Sequence, residues 1–181
     1  MTLTQYYTAT SLDGFIADER HSLDWLFTWN QDRAGPLNYD AFYGGVGAVA
    51  MGSTTYEWIL DRDNERWPYD VPAWVFTHRE LRQVAGARVT FTGGDVRDVH
   101  ETMKQAAGDR NVWIVGGGDL AGQFADAGLI DEVIVYFAPV TLGAGAPLLP
   151  RRVELRLEET ARNGDFVTAR YAVVSAGAEG R

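Results

Sequence analysis

Asn111-Val112-Trp113-Ile114-Val115-Gly116-Gly117-Gly118-Asp119-Leu120-Ala121-Gly122-Gln123-Phe124 runs from an apolar strand pattern through three glycines into a helix pattern. The β-branched residues and Trp113 favour a buried strand. Glycines let backbone N–H groups approach an anion closely, and the following helix points the positive end of its dipole at the same spot. The same grammar also serves a tight strand-to-helix turn that holds nothing. Gly116 to Ala121 fits the loose form G-x-G-x-x-A of the dinucleotide fingerprint. A Rossmann domain, however, wants an acid at the end of the next strand, roughly 20 residues on. Here Asp131 and Glu132 stand at the start of that strand, and the glycines fall late in the chain. Both features speak against that fold.

Outward from this stretch, strand-like and helix-like segments alternate, as in an α/β layer architecture with a largely parallel sheet. Leu3 to Thr10 reads as the first strand and Ser11-Leu12-Asp13-Gly14 as a loop. A polar and aromatic connector, His21 to Pro36, leads to a helix expected over Leu37 to Tyr43. Val46 to Met51 is a second strand, entering Gly52-Ser53-Thr54-Thr55 and a helix from about Tyr56. Ala73 to Thr77 and Val89 to Thr92 are further strands. Val96 to Ala107 has the apolar spacing of an amphipathic helix. After Glu132 to Phe137 and the glycine-rich Pro139 to Gly145, two alternating segments flank Asn163-Gly164, a hairpin turn signal. Residues 1–175 therefore read as one domain with a C-terminal antiparallel hairpin, and 176–181 as a loose tail.

Composition narrows the function classes. The 181 residues carry a net charge of −9, which counts against a general nucleic-acid or anionic-membrane surface. With no cysteine there is no disulfide, thiolate nucleophile or cysteine-ligated zinc. His21 and His100 have no partner at metal-ligand spacing and read as surface residues, so no metal is expected. Neither a signal peptide nor a membrane-length apolar run is visible, so a cytoplasmic protein is expected.

Two more turns resemble the triple glycine in kind. Met51-Gly52-Ser53-Thr54-Thr55-Tyr56 again sets a glycine and hydroxyls at a helix start, for capping or for a pyrophosphate. Phe76-Thr77-His78-Arg79, with Arg82 beyond, sets cations after a strand end. Three such turns would lie along the carboxyl edge of a parallel sheet, where ligands of open α/β folds bind.

In these motifs, with Ser11-Leu12-Asp13-Gly14-Phe15-Ile16-Ala17, Asp131-Glu132-Val133 and Pro139-Val140, the chain resembles the dihydrofolate reductase superfamily. It is most similar to the C-terminal reductase domain of the bacterial bifunctional riboflavin-biosynthesis deaminase–reductase, over about Leu3 to Val174. The resemblance implies a three-layer fold, a homodimer and hydride transfer from NADPH to a small pterin-, pyrimidine- or ribose-bearing substrate. By position, Ala9 and Ile16 would touch the nicotinamide half, and Gly52, Ser53, Thr54 and Thr55 the pyrophosphate. Phe76, Thr77 and His78 would lie by the adenosine ribose and its 2′-phosphate. Gly116, Gly117 and Gly118 would bend under the cofactor through a cis peptide, flanked by Asp119, Leu120 and Gln123.

Departures from that family pattern matter. Ser53 stands where the family has an Arg, which leaves NADH open beside NADPH unless His78, Arg79 or Arg82 compensates. The proton donor is either Asp40, one turn out of register with the acid of true dihydrofolate reductases, or a bound water. Asp13, Trp25 and Tyr136 are substrate-pocket candidates, each with a turn or packing role as the alternative. Trp58, Trp67 and Tyr69 read either as a dimer patch or as core. A non-catalytic ligand-binding domain on the same fold is the second functional reading.

Overall fold

The computed structural model describes residues 1–62 and 66–174; the tail expected over 176–181 lies outside the described residues. The elements are β1 (Thr4–Thr10), β2 (Phe15–Ala17), a 3-10 turn (Asp24–Thr28), α1 (Tyr39–Gly44), β3 (Val46–Gly52) and α2 (Ser53–Arg62). There follow β4 (Ala73–Phe76), β5 (Val89–Thr92), α3 (Val96–Ala107), β6 (Asn111–Gly116) and α4 (Gly118–Asp126). The chain ends through β7 (Glu132–Phe137), β8 (Ala146–Pro147), β9 (Leu155–Asn163) and β10 (Phe166–Val173). Eight strands form one sheet in the order β5-β4-β3-β6-β1-β7-β10-β9, and β2 pairs with β8 in a separate small ladder. All neighbours in the large sheet are parallel except β10, which runs antiparallel to both β7 and β9.

Strand alternation sends side chains to two layers. On one side Tyr7, Met51, Trp113 and Tyr136 pack under α1 and α2, with Tyr56 and Ile59 of α2 joining them. This layer is rich in rings: Tyr7 stacks on Phe42 at 4.2 Å, and Trp113 meets Phe42 edge-on at 5.4 Å. The Trp113 indole N–H donates to the Tyr7 carbonyl at 3.0 Å, so the buried ring leaves no unpaired donor. On the other side Tyr6, Ala50, Val112 and Ile114 pack under Met103 of α3 and Leu120 and Phe124 of α4.

Four sequence expectations shift. The first helix starts at Tyr39, not Leu37, because Leu37 has φ +54 and Asn38 caps, its side chain accepting from the Ala41 amide. The helix expected from Tyr56 starts directly at Ser53, so the hydroxyls of 53–55 form its first turn. In the hairpin, Gly164 (φ +60) and Asp165 form the turn between paired Asn163 and Phe166. His100, expected at the surface, is 6% exposed and bonded to the Thr4 hydroxyl at 2.7 Å, and its burial lowers its pKa.

The connector before α1 is anchored to the hairpin. Asn163 accepts from the Asp32 amide at 2.8 Å and donates to the Pro36 carbonyl at 2.9 Å, while 1% exposed. The Asp165 amide donates to the Asn30 carbonyl, and the Asn30 amide to the Asp165 carboxylate. Asn163→Ala strands the Asp32 amide and the Pro36 carbonyl without their partner. It should lower stability by about 2 kcal/mol, read as a Tm fall of about 6 °C by calorimetry.

Candidate functional site

The site begins where the sheet opens. β1 and β6 pair through Thr4↔Val112, Gln5↔Trp113 and Tyr6↔Ile114. Beyond that point β1 continues against β7 to Thr10, and β6 continues against β3 to Gly116. Thr8 and Val115 lie in this parting and border a cleft of about 370 Å³. Its rim at the carboxyl edge is set by strand register, since Gly52 pairs with Phe76, Phe76 with Thr92, and Met51 with Gly116.

α2 and α4 start at the ends of adjacent strands, so their N-termini meet at the cleft. The three glycines allow this for three different reasons. A Cβ at Gly116 would lie 2.9 Å from the Thr55 hydroxyl. Gly117 has φ +95 and ψ 99, outside the comfortable range of an L side chain. A Cβ at Gly118 would lie 2.1 Å from the Pro147 carbonyl oxygen and 2.9 Å from that of Leu148. Gly52 differs from all of them: a Cβ there would meet nothing within 4 Å. The expected cis bond is absent, and among the described residues no peptide is cis. The positive φ of Gly117 turns the chain with trans bonds throughout.

Of the residues singled out for a cofactor, Ile16, Thr54, Thr55, Gly116, Gly117, Gly118 and Asp119 line the cleft together. Gly52 abuts it, since a Cβ on Gly117 would come within 3.9 Å of the Gly52 amide nitrogen, and Ser53 follows in the first turn of α2. Ala9 packs on the aromatic layer, and Leu120 is core. Phe76 meets Phe124 edge-on at 5.8 Å. Thr77 and His78 lie past the end of β4, where a Cβ on Gly93 would come 2.6 Å from the His78 ring. Gln123 binds the Asp119 carboxylate at 3.0 Å.

The three substrate-pocket candidates and Asp40 do not line the cleft. Tyr136 is 3% exposed, and its hydroxyl donates to the Leu37 carbonyl at 2.7 Å and accepts from Asn163. Trp25 packs against the aromatic core from the 3-10 turn. Asp40 points to solvent from α1 and faces Arg33 at 3.7 Å. Asp13 joins two loops: its carboxylate accepts from the Ser11 hydroxyl at 2.6 Å and from the amides of Leu142 and Gly143. The Ser11 bond, with those amides, holds its pKa down at about 2.

Trp58, Trp67 and Tyr69, read either as a dimer patch or as core, pack against the aromatic core, and Trp58 and Tyr69 also border the cleft. His21, expected at the surface, is exposed and also borders the mouth of the cleft, with φ +58. Its turn is fixed by Asp18, whose carboxylate accepts from the amides of Arg20 and Ser22, both at 2.8 Å. Ala146 and Pro147 of the β2–β8 ladder close another side, with Pro150 beyond it.

Charge in the cleft is local. Asp119 is held by Gln123 and by Arg151 at 3.0 Å, and these bonds lower its pKa. Arg151 also bonds Asp126 at 2.8 Å and lies against Gly122, where a Cβ would come 3.0 Å from its Cγ. α4 thus carries its own anion near its N-terminus, whereas α2 has no acid in its first turn. Among the described residues no cluster of three metal-ligating side chains occurs, and no helix is long and apolar enough to cross a membrane.

Two outcomes follow from this geometry. Gly118→Ala forces Pro147 away from the turn and should cost about 2 kcal/mol, measured by urea unfolding. Asp13→Ala removes a carboxylate whose folded pKa lies below its ordinary value of 3.8. Its stabilisation is complete above that value and fades as pH falls toward about 2. The Tm gap between wild type and variant should therefore be widest near neutrality and narrow through that acid window.

The chain matches the RibD C-terminal domain over residues 4–165. It is 37% identical over 172 residues to the uncharacterized protein YwjB of Bacillus subtilis (strain 168), with 93% of this chain and 96% of that one covered. It superposes on a Shewanella sp. PV-4 protein provisionally assigned to riboflavin biosynthesis with a TM-score of 0.80 at 26% identity, covering 96% of this chain and 100% of that one. Dihydrofolate reductase from Enterococcus faecalis, complexed with NADP(H), shares the fold at a TM-score of 0.58 and 15% identity, over 96% and 97% of the two chains. With its mostly parallel eight-stranded sheet and antiparallel C-terminal strands, the chain belongs to the RibD C-terminal domain family and has a dihydrofolate-reductase-like fold.

Proposed function

We propose that this protein is an NAD(P)H-dependent reductase acting on a small pterin-, pyrimidine- or ribose-bearing substrate. The observation that supports this best is the open space over Gly52, where a Cβ would touch nothing, beside two converging helix N-termini. Gly116 and Gly118 are small because protein atoms crowd them; Gly52 is small with no such neighbour. That is the arrangement expected where a phosphate approaches backbone amides. Thr54 and Thr55 add hydroxyls to the α2 end.

In this reading Gly52, Ser53, Thr54 and Thr55 hold the pyrophosphate, and Ile16 and Gly116 to Gly118 border the nicotinamide side. A bound nicotinamide dinucleotide supplies a hydride. A bound water supplies the proton in place of Asp40, which stands outside the cleft. Thr77 and His78 would discriminate a 2′-phosphate, with Arg79 bonded to Glu57 at 2.6 Å. The expected homodimer would use the exposed Leu155, Leu157 and Val167 of the β9–β10 edge, because Trp58 and Tyr69 are cleft residues.

One observation favours the second reading, a ligand-binding domain without turnover. The carboxylate that lines the cleft, Asp119, is kept ionised by Gln123 and Arg151, so it offers no proton to a substrate.

NADPH at about a hundredfold excess over its Kd should add about 2.7 kcal/mol of stability, or about 8 °C in Tm. Gly52→Val fills the open space, so it should fold normally and lose that rise. Failure of both NADPH and NADH to raise the wild-type Tm at millimolar concentration would refute the cofactor assignment. Binding without NADPH oxidation across a broad acceptor panel would select the non-catalytic reading.

A further inference from the structure

The segment 145–151 carries one wall of the cleft, and its first part is tied down near the sheet. The Leu148 amide donates to the Gly14 carbonyl at 2.9 Å, and the buried Tyr6 hydroxyl donates to the Leu148 carbonyl at 2.9 Å. Beyond Leu148 the support changes. Among the described residues, the hydrogen bonds that join 149–152 to another element are those of the Arg151 guanidinium.

That guanidinium is engaged at each of its nitrogens. Nε donates to Asp126 at 2.8 Å, Nη2 to Asp119 at 3.0 Å and Nη1 to the Pro150 carbonyl at 2.8 Å. It lies across Gly122 in the middle of α4, where a Cβ would come 3.2 Å from the guanidinium carbon and 3.3 Å from Nε. An ordinary surface pair must hold two long, mobile side chains in place and gains little. Here the Arg151 side chain is 31% exposed, seated on a glycine, and its planar fork holds two acids at once.

Two of the groups held in this way, Pro150 and Asp119, border the cleft. Asp119 stands in the first turn of α4, directly after the triple glycine. Its bonds to Gln123 and Arg151 lower its pKa, so it is ionised near neutrality. Gln123 orients the carboxylate and carries no charge; Arg151 is the cation that offsets it. Without Arg151, an anion approaching the turn where α2 and α4 meet would face a bare carboxylate.

We infer that Arg151 is a positioning residue for anion binding in the cleft. It does not line the cleft itself, but holds Asp119 back against α4 and offsets its charge, so that a phosphate can approach the glycine turns. This rests on the dinucleotide reading of the cleft and adds to it a residue 32 positions away from Asp119 in sequence.

The test measures NADPH affinity by calorimetry for the full chain and its variants. Arg151→Ala should weaken NADPH about tenfold, and the loss should shrink at high salt, which screens exposed charges. Asp119→Asn should bind at least as tightly as wild type. The double variant Arg151→Ala with Asp119→Asn should regain the affinity lost in Arg151→Ala, a recovery that a purely structural role for Arg151 would not give. Arg151→Gln takes the place of Arg151→Ala if that variant does not fold. Unchanged affinity on loss of Arg151, or no recovery in the double variant, would overturn the inference. Inorganic pyrophosphate, titrated in parallel, separates it from the cofactor reading. If wild type binds neither NADPH nor NADH, yet pyrophosphate follows the expected pattern across the variants, the cofactor reading falls and the role of Arg151 stands. If pyrophosphate does not follow that pattern either, both fall.

Discussion

A Cβ at residue 118 would lie 2.1 Å from the carbonyl oxygen of Pro147, and the cleft depends on that closeness of backbone to backbone. The segment carrying Ala146, Pro147 and Pro150 lies over the start of α4 and forms one wall. Replacing the hydrogen at 118 with any side chain would push this wall outward. Gly145 repeats the device one step earlier, where a Cβ would lie 2.1 Å from the Ala17 carbonyl. Together these contacts bring the β8 segment against both the β2 loop and the triple-glycine turn. Atoms of the protein fill the space at Gly116 and Gly118, and the space at Gly52 stays open.

Electrostatics then divides the labour between two helix ends that geometry makes near neighbours. Both point the positive ends of their dipoles at the cleft. α4 meets its own carboxylate in Asp119, which is in turn compensated by Arg151 lying across Gly122. α2 has hydroxyls and no acid in its first turn. The exposed ion pairs here contribute little to stability. Their consequence is that an acid stands in the first turn of α4 and none in that of α2.

Much of the fold was legible. Val96–Ala107 and Glu132–Phe137 have the boundaries read for them, because the helix buries one face at helical spacing and the strand is an unbroken apolar run buried on both faces. β2 and β8 left no such trace. They are three and two residues long, and their pairing joins residues far apart in the chain. Leu37 and His21 hid their positive φ angles because neither residue type advertises one. Gly52, Thr54, Thr55 and Gly116 to Gly118 were visible as turns, since glycine and hydroxyls after a buried strand are local signals. Trp58, Tyr69 and His21 were not visible as cleft residues, because an aromatic or a histidine on a short periodic segment reads equally well as core or surface.

By itself the sequence determined the alternation of strands and helices, the antiparallel ending and the order of the glycine turns. These follow from burial period and turn chemistry, which act over a few neighbouring residues. The tertiary structure decided which of those turns share one edge, and which side chains face the cleft. Asp40 points to solvent, Tyr136 is bonded to Leu37, and His100 is buried on Thr4. The opening between β1 and β6 exists because each strand continues with a different partner after Tyr6 and Ile114. Such a choice of partners is settled by packing among segments about a hundred residues apart, and no local pattern encodes it.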